Sequence, residues 1–460
     1  MPFYARLAKA NPDPAQELVR KRTIAGLQRL RIALKAHFEA GQLGKPPSSS
    51  VRIATWNLRE FGGTKSGGRG YETLCYIAEI IAHFDVVALQ EVRGNLTALR
   101  ELLGLLGTDW EHIATDVTDG DAGNGERMVF LFNRNKAQFT NIAGELTLPD
   151  GAKITASFGE RVTLRDGLRL TLPQGTDLGS EFDARLKSKA GGKHALDRDL
   201  EIALPPGCNL ALPDGCALAI VKNTEVQRVG TGRAKLAIPP SPIRGEAYRL
   251  RLPGGSIDDS FKQFARTPYL VSMQSGWLKI NLCTVHIFFG DSEDPKLMEQ
   301  RRSEIQALTD MMGGRARDDL KDDPKFPVLT ALLGDFNIMN HDHPTMKALE
   351  NSGFQVPDAL KAIPGSNVEK DKAYDQIAFW EPARAREYVK VDITGAGVFD
   401  FFEHVYRNDE AQTYLPGETD RKYKDWRTYK MSDHLPMWVE LRNDFSDEYL
   451  DASASAVVTD

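Results

Sequence analysis

The chain has 460 residues, 41% hydrophobic and 27% charged, with a formal net charge of −6. That length buries a sizeable core and leaves room for more than one domain. The acidic balance argues against a protein that grips a polyanion through a broad basic surface, but not against one that meets it at a single local field. No run of 18 apolar residues occurs, so no transmembrane helix is expected. The N-terminus lacks the continuous apolar core of a secretory signal, which makes a cytoplasmic location the expectation. Cys75, Cys208, Cys216 and Cys283 are too scattered for a disulfide scaffold. Cys75 and Cys283 read as buried thiols in apolar runs, whereas Cys208 and Cys216 are close enough in sequence to pair.

Residues 13–40 read as an amphipathic helix. Leu27, Leu30, Leu34 and Phe38 share a stripe, with Arg29, Arg31 and Lys35 elsewhere, so packing on the main body is preferred over a basic arm. The stretch 44–50 is a linker. Strand 51–56, helix 71–84, strand 86–90, helix 95–106 and strands near 112–116 and 127–133 follow. Within 151–260 the unit Leu-Pro-x-Gly recurs, beginning at Leu172, Leu204, Leu212 and Leu252, after an earlier copy at Leu148. Pro fixes φ and Gly supplies positive φ, so this stretch is expected to be an all-β insertion of short hairpins and a candidate docking surface for a partner. From 264 come strands 268–275 and 277–287, helix 295–312, strand 326–336, helix 344–351 and strands 374–380 and 434–441. Residues 443–460 lack periodicity and are expected to be a mobile tail. The domain division is therefore 1–50, then 51–150 with 261–442, then 151–260 and 443–460. Strands alternating with helices on the outside predict an α+β fold of sheets packed face to face.

Five strand ends break abruptly into carboxylate, amide or imidazole. Asn57 ends one run, Glu91 another and His286 a third. Asp335 and Asn337 follow a fourth run, and Asp433 and His434 open a fifth. Each has a plain reading alone, such as a turn or a satisfied core histidine, but their coincidence points to one centre. Hydrolysis of a phosphodiester needs charge neutralisation, an activated water and donors for the five-coordinate phosphorane. Glu91, with Asn57 and Asp433, is the candidate ligand set for a hard divalent ion. His434 is the candidate general base, oriented by Asp375, whose strand is expected to pair with the His434 strand. Asn337, Asn57, His286 and Arg127 are candidate donors, and Asp335 could orient water or protonate the leaving group. His341 and His343 read as a polar loop.

These segments resemble the endonuclease/exonuclease/phosphatase superfamily, and within it the deoxyribonuclease I group, over residues 51–148 and 262–442. The resemblance implies a four-layer α/β/β/α sandwich carrying the all-β insertion. It implies Glu91 as principal ligand of Mg²⁺, with Mn²⁺ as an alternative metal and Asn57 and Asp433 nearby. His286 and His434 become the catalytic histidines, with Asp375 the partner of His434. Asp335 and Asn337 bind phosphate or position water, and Arg127 meets the substrate phosphate. The implied activity is an endonuclease with nucleic acid, DNA in particular, as its substrate. A phosphatase or a phospholipid or inositol phosphodiesterase is the alternative, and a non-catalytic scaffold the third. Arg59, where some repair endonucleases carry an acidic residue, and His286 both argue against the abasic-site branch. For nucleic acid, residues 420–434 mix cations with Tyr423, Trp426 and Tyr429, suited to phosphate contact and base stacking, or form a solvated loop.

Overall fold

In the computed structural model Asp13 accepts hydrogen bonds from the Ala15 and Gln16 N–H groups and Pro14 fills the first helical position, which starts α1 (Pro14–Ala40). The structure describes residues 1–44, 49–117, 125–147, 264–291, 294–322, 328–381 and 391–457, and the short strands of 148–263 given below. The expected stripe Leu27, Leu30, Leu34 and Phe38 is buried in one apolar cluster with α2 (Tyr71–Ile81) and α3 (Thr97–Leu106). A Cβ on Gly26 would overlap the Tyr76 ring, so glycine is what lets α1 and α2 approach this closely.

Beneath these helices lies a six-stranded sheet. It is built from β1 (Ser50–Phe61), β2 (Val86–Arg93), β3 (Trp110–Ala114) and β4 (Glu126–Asn133), with β19 (Ile393–Val398) and β20 (Met437–Arg442) from the far end of the chain, in the order β19-β20-β1-β2-β4-β3. The second six-stranded sheet holds β5 (Gln138–Glu145), β14 (Tyr269–Ser275), β15 (Leu278–His286), β16 (Leu329–Asp335), β17 (Phe354–Gln355) and β18 (Asp375–Trp380), in the order β17-β18-β16-β15-β14-β5. The sheets meet face to face where β1 and β2 touch β16 and where β18 touches β20. Trp56, Leu89 and Leu131 of the first sheet join the α1–α3 cluster. Outside the second sheet, α4 (Pro295–Asp322) runs beside β15, its Asp319 accepting from Asn281, and its Thr309 hydroxyl donates to the Ala348 carbonyl of α5 (Pro344–Leu349). The architecture is a four-layer α/β/β/α sandwich. No helix among the described residues is long and apolar enough to cross a membrane.

The chain divides into two compact units, Met1–Thr147 with Phe264–Phe289 and Glu304–Asp460, and Leu148–Gln263 with Gly290–Ser303. Between 148 and 263 every element described is a strand. β6 (Ile154–Thr155) pairs with β13 (Ser260–Phe261), and β7 (Val162–Thr163) pairs with β10 (Asn209–Leu210). β8 (Leu168–Leu172), β9 (Leu200–Leu204), β11 (Ala217–Ile220) and β12 (Arg228–Val229) form a sheet in the order β11-β8-β9-β12. β8 and β9 stop at Leu172 and Leu204, each the first residue of a Leu-Pro-x-Gly unit. The Pro-x-Gly residues, Cys208 and Cys216 lie outside the described residues, while Cys75 and Cys283 are free, buried thiols.

Three local expectations are corrected. β18 pairs with β16 and β17, not with the strand that follows His434, because β20 belongs to the opposite sheet. Two short helices, α6 (Asp358–Lys361) and α7 (Ala411–Tyr414), precede α8 (Asp420–Lys430), which occupies the segment read as a loop; the Thr419 hydroxyl accepts from Lys422 N–H and starts it. The C-terminal stretch is helical as α9 (Ser446–Val457), its start held by Asp444 accepting from Ser446. Small Ala and Ser residues hide its periodicity in sequence.

Candidate active site

β1 and β2 run parallel with Asn57 opposite Gln90, so Asn57 and Glu91 leave neighbouring strands at the same end. β15 and β16 also run parallel, with His286 opposite Asp335, and β18 sets Asp375 opposite Asp335 from the other side. Gly334 has φ 144°, and a Cβ there would overlap the Val285 carbonyl. Glycine therefore permits the close strand contact immediately before Asp335.

Asn57 joins the two sheets. Its Nδ2 donates to Glu91 Oε1 and to Asp335 Oδ2, both at 3.0 Å. Its Oδ1 accepts the Arg59 N–H at 2.9 Å, and the Glu60 N–H donates to Glu91 Oε2 at 2.9 Å. Asp335 Oδ2 lies 3.6 Å from His286 Nε2 and 3.7 Å from His434 Nε2. Each imidazole is held from behind by a carboxylate: His434 Nδ1 donates to Asp375 Oδ2 at 2.8 Å, and His286 Nδ1 lies 3.0 Å from Glu126 Oε1. Two histidines thus face one aspartate, each fixed in tautomer and direction by its own acid.

Backbone and hydroxyl contacts set these positions. Ser366 Oγ donates to Asp375 Oδ2 at 2.7 Å, and Leu435 N–H donates to the Ser366 carbonyl. Ser432 Oγ donates to the Asn57 carbonyl and accepts from His434 N–H, while Trp56 Nε1 donates to the His434 carbonyl. Asn337, at φ 53°, donates its N–H to Asp335 Oδ1 and its Nδ2 to the Ile287 carbonyl. The Asx-type bond expected of a plain turn is present, and it orients the aspartate.

Electrostatics follow from the pairing. Burial opposes the His434 imidazolium, yet the Asp375 and Asp335 carboxylates outweigh it and hold its pKa well above the ordinary value. Burial also opposes charge on His286, and Glu126 more than offsets it, so that pKa is raised too. Burial by itself would raise the Glu126 carboxyl, but His286 and Arg266 bring it down to about 2.

Among the described residues two groups have their ligand atoms within 4.8 Å of one another, Glu91 with Glu126 and His286, and Asp335 with Asp375 and His434. The oxygen-rich face of the first suits a hard divalent ion. Glu91 Oε1 and Oε2 each accept one N–H, which leaves lone pairs for a cation. Of the expected ligands, Asn57 and Glu91 come together. Asp433 does not join them: its Oδ2 lies 3.4 Å from Arg59 Nε, outside both groups.

Arg127 is placed elsewhere as well, donating to the Thr115 carbonyl at 2.8 Å and pairing with Asp116. Strand alternation explains this, because neighbouring residues of β4 face opposite ways. Glu126 is the residue that reaches His286, and the arginine paired with it is Arg266. Sequence reading passed over both. Glu126 opens β4 with a carboxylate, the same sign seen at the other strand ends, whereas Arg266 lies in an irregular segment with no pattern to mark it. His341 and His343 keep local roles, on the Ile363 carbonyl and at the start of α5. The aromatic face of α8 is largely internal: Tyr423 is buried, and Trp426 packs on Tyr406, Tyr414 and Tyr423. That removes Tyr423 from any stacking surface.

Residues 54–387 match the sequence model of the endonuclease/exonuclease/phosphatase family. Deoxyribonuclease-1 of Bos taurus is 36% identical over 91 residues, 19% of this chain and 32% of that protein. The Sus scrofa enzyme is 35% identical over 88 residues, 18% of this chain and 30% of its own length. The matched stretch thus spans about a third of these curated relatives. Among solved structures, a mannosyl-6-phosphatase of Bacteroides thetaiotaomicron superposes with a TM-score of 0.41 at 13% identity, covering 85% of this chain and 99% of that one. D. rerio TDP2 complexed with a single-strand DNA product gives 0.40 at 10% identity, covering 86% and 100%. With more than half its length matched and two histidine–carboxylate pairs converging on one aspartate, the chain belongs to the endonuclease/exonuclease/phosphatase family, whose named activities are all hydrolyses of phosphate esters.

Proposed function

We propose that this chain is a divalent-metal-dependent phosphodiesterase that cleaves DNA internally. The observation that supports the reaction most directly is Asp335 Oδ2, within 4 Å of both His286 Nε2 and His434 Nε2, with Asn57 bridging it to Glu91. In this reading Glu91 and Asn57 would hold Mg²⁺, or Mn²⁺ in its place, and Asp433, paired with Arg59 two residues after Asn57, would join them if Arg59 released it. Such an ion neutralises phosphate charge and stabilises the phosphorane.

The remaining work falls to the chain itself. His434, backed by Asp375, takes the proton of the attacking water at Nε2 in its neutral form; because its pKa is held well above the ordinary value, activity is expected to rise with pH. Asp335 accepts from that water and fixes its line of approach. His286, backed by Glu126, carries the proton needed by the leaving oxygen, which suits its raised pKa. Asn337 holds the Asp335 carboxylate in register, and Arg266, paired with Glu126, keeps that carboxylate beside His286. A DNA substrate is favoured by the 36% identity to Deoxyribonuclease-1 over 91 residues, about a third of that protein.

The deciding experiment incubates the intact protein with supercoiled plasmid, a single-stranded oligonucleotide, an RNA, an inositol phosphate and a phospholipid, with Mg²⁺, Mn²⁺ or chelator. Nicking of plasmid that needs the metal is the expected result. Release of phosphate from the small esters with intact plasmid would replace this reading with the phosphatase one.

A further inference from the structure

Arg69 lies in the glycine-rich loop after β1, away from the strand ends that carry the site. Its guanidinium meets five main-chain carbonyls. Nη2 donates to those of Leu58, Arg59 and Met431, Nη1 to that of Glu60, and Nε to that of Lys430. Only arginine presents a planar fork with five N–H donors, so no other side chain could serve this set. Lys430 reinforces the contact from the other side, its Nζ donating to the Gly68 carbonyl at 2.6 Å. Gly67 and Gly68 at φ 76° and 65° turn the loop back so that Arg69 can enter.

The backbone that Arg69 holds is unusual. Arg59 and Glu60 are non-glycine residues at φ 32° and 52°, a conformation that costs energy and persists only where surroundings impose it. That conformation sends the Arg59 N–H to Asn57 Oδ1 and the Glu60 N–H to Glu91 Oε2. The carbonyls of the same turn, at residues 58, 59 and 60, are the ones to which Arg69 donates. Its remaining two bonds go to residues 430 and 431, directly before Ser432, Asp433 and His434. One guanidinium therefore ties the turn that orients Asn57 and Glu91 to the segment that delivers His434.

We infer that Arg69 is a positioning residue that preorganises the cation side of the site, by holding the Arg59–Glu60 turn in the geometry that aims Asn57 and Glu91 and by fixing it to the His434 segment. The inference rests on the proposed role of Asn57 and Glu91 as the cation site. It does not need Arg69 to touch substrate.

The test compares wild type with R69K. Mn²⁺ binding to the protein without substrate is measured by calorimetry, together with kcat and KM on plasmid, all well below the melting temperature of either protein. R69K keeps the charge but reaches fewer carbonyls. Mn²⁺ affinity is expected to fall about tenfold, in the range typical of outer-shell partners. A kcat deficit is expected that added Mn²⁺ only partly restores, with KM little changed. E60G added to R69K should recover part of the affinity, because glycine adopts positive φ without strain.

A lowered melting temperature with Mn²⁺ affinity and kcat unchanged would make Arg69 a plain structural staple and overturn the inference. Should R69K not fold, hydrogen exchange on the wild type decides the matter. The Arg59 and Glu60 amides are expected to be protected before any metal is added. Protection that appears only with Mn²⁺ would overturn preorganisation. Failure of wild type itself to bind Mn²⁺ would instead count against the cation site and be recognised as such.

Discussion

At the scale of single residues the site is a set of acids and imidazoles that fix one another. His434→Ala removes the group placed at Asp335 and is expected to lower nicking about a hundred- to ten-thousand-fold, the usual span for a lost acid or base. Asp375→Asn should lie between that and wild type, since the imidazole remains but loses the carboxylate that holds its tautomer; initial-rate assays of both variants decide the order. A second residue outside the reacting group gives a pH signature. Glu304 is buried and its carboxyl is pushed up to about 7 by burial, despite accepting the N–H groups of Ala265 and Phe288. A carboxyl with a folded pKa above its unfolded value binds extra protons when folded, so its stabilisation is full below about 4.5 and is lost as pH rises through about 7. The loss amounts to roughly 3 kcal/mol. Urea unfolding at pH 4.5 and pH 8 should show wild type losing about that much more stability than Glu304→Gln; equal losses would refute it.

At the scale of elements, the site exists because short parallel pairs bring strand ends level. β1 with β2 and β15 with β16 each end together, and a chemically distinct residue stands at each end. Gly334 is the tightest point of that arrangement. Gly334→Ala would force a side chain onto the Val285 carbonyl at φ 144° and should cost about 3 kcal/mol, while displacing Asp335 enough to depress activity before the fold is lost. Thermal melts paired with kcat at a temperature where the variant is folded would separate the two effects. α8 makes the opposite point. Its cations and rings read as a nucleic-acid surface, yet the helical turn buries Tyr423 and Arg427 and leaves Arg421, Lys422 and Lys424 exposed. The period of the element, which composition does not reveal, sorted those side chains.

At the scale of the whole molecule, the long insertion interrupts the catalytic unit at a point that tolerates it. β5 and β14 are antiparallel neighbours with Glu145 opposite Tyr269, and Leu146 N–H donates to the Pro268 carbonyl. The chain therefore leaves and re-enters the second sheet at adjacent positions, as a hairpin would. Replacing 148–263 by a short turn is expected to leave Mn²⁺ binding and melting temperature close to wild type, because loop closure costs little and here becomes cheaper. Loss of folding in that variant would show that the insertion supports the sandwich. A folded variant with altered choice among the phosphate substrates would assign the insertion to specificity.

The order of strand ends, the helices of the outer layers and most of the chemistry were legible in the sequence because each is local: Leu30 and Leu34 repeat at helical spacing, and Asn57, Glu91, Asp335 and His434 each interrupt an apolar run. Pairing across the sandwich was not local. That Asp375 reaches His434 from the opposite sheet rather than from a paired strand, and that Glu126 rather than Arg127 faces His286, were decided only when two sheets were laid face to face, and Asp433 turns to Arg59 because β1 and β20 are neighbours in one sheet. Arg69 shows the limit most clearly. Its partners are carbonyls from two chain segments some 370 residues apart, and a main-chain carbonyl has no letter in the sequence.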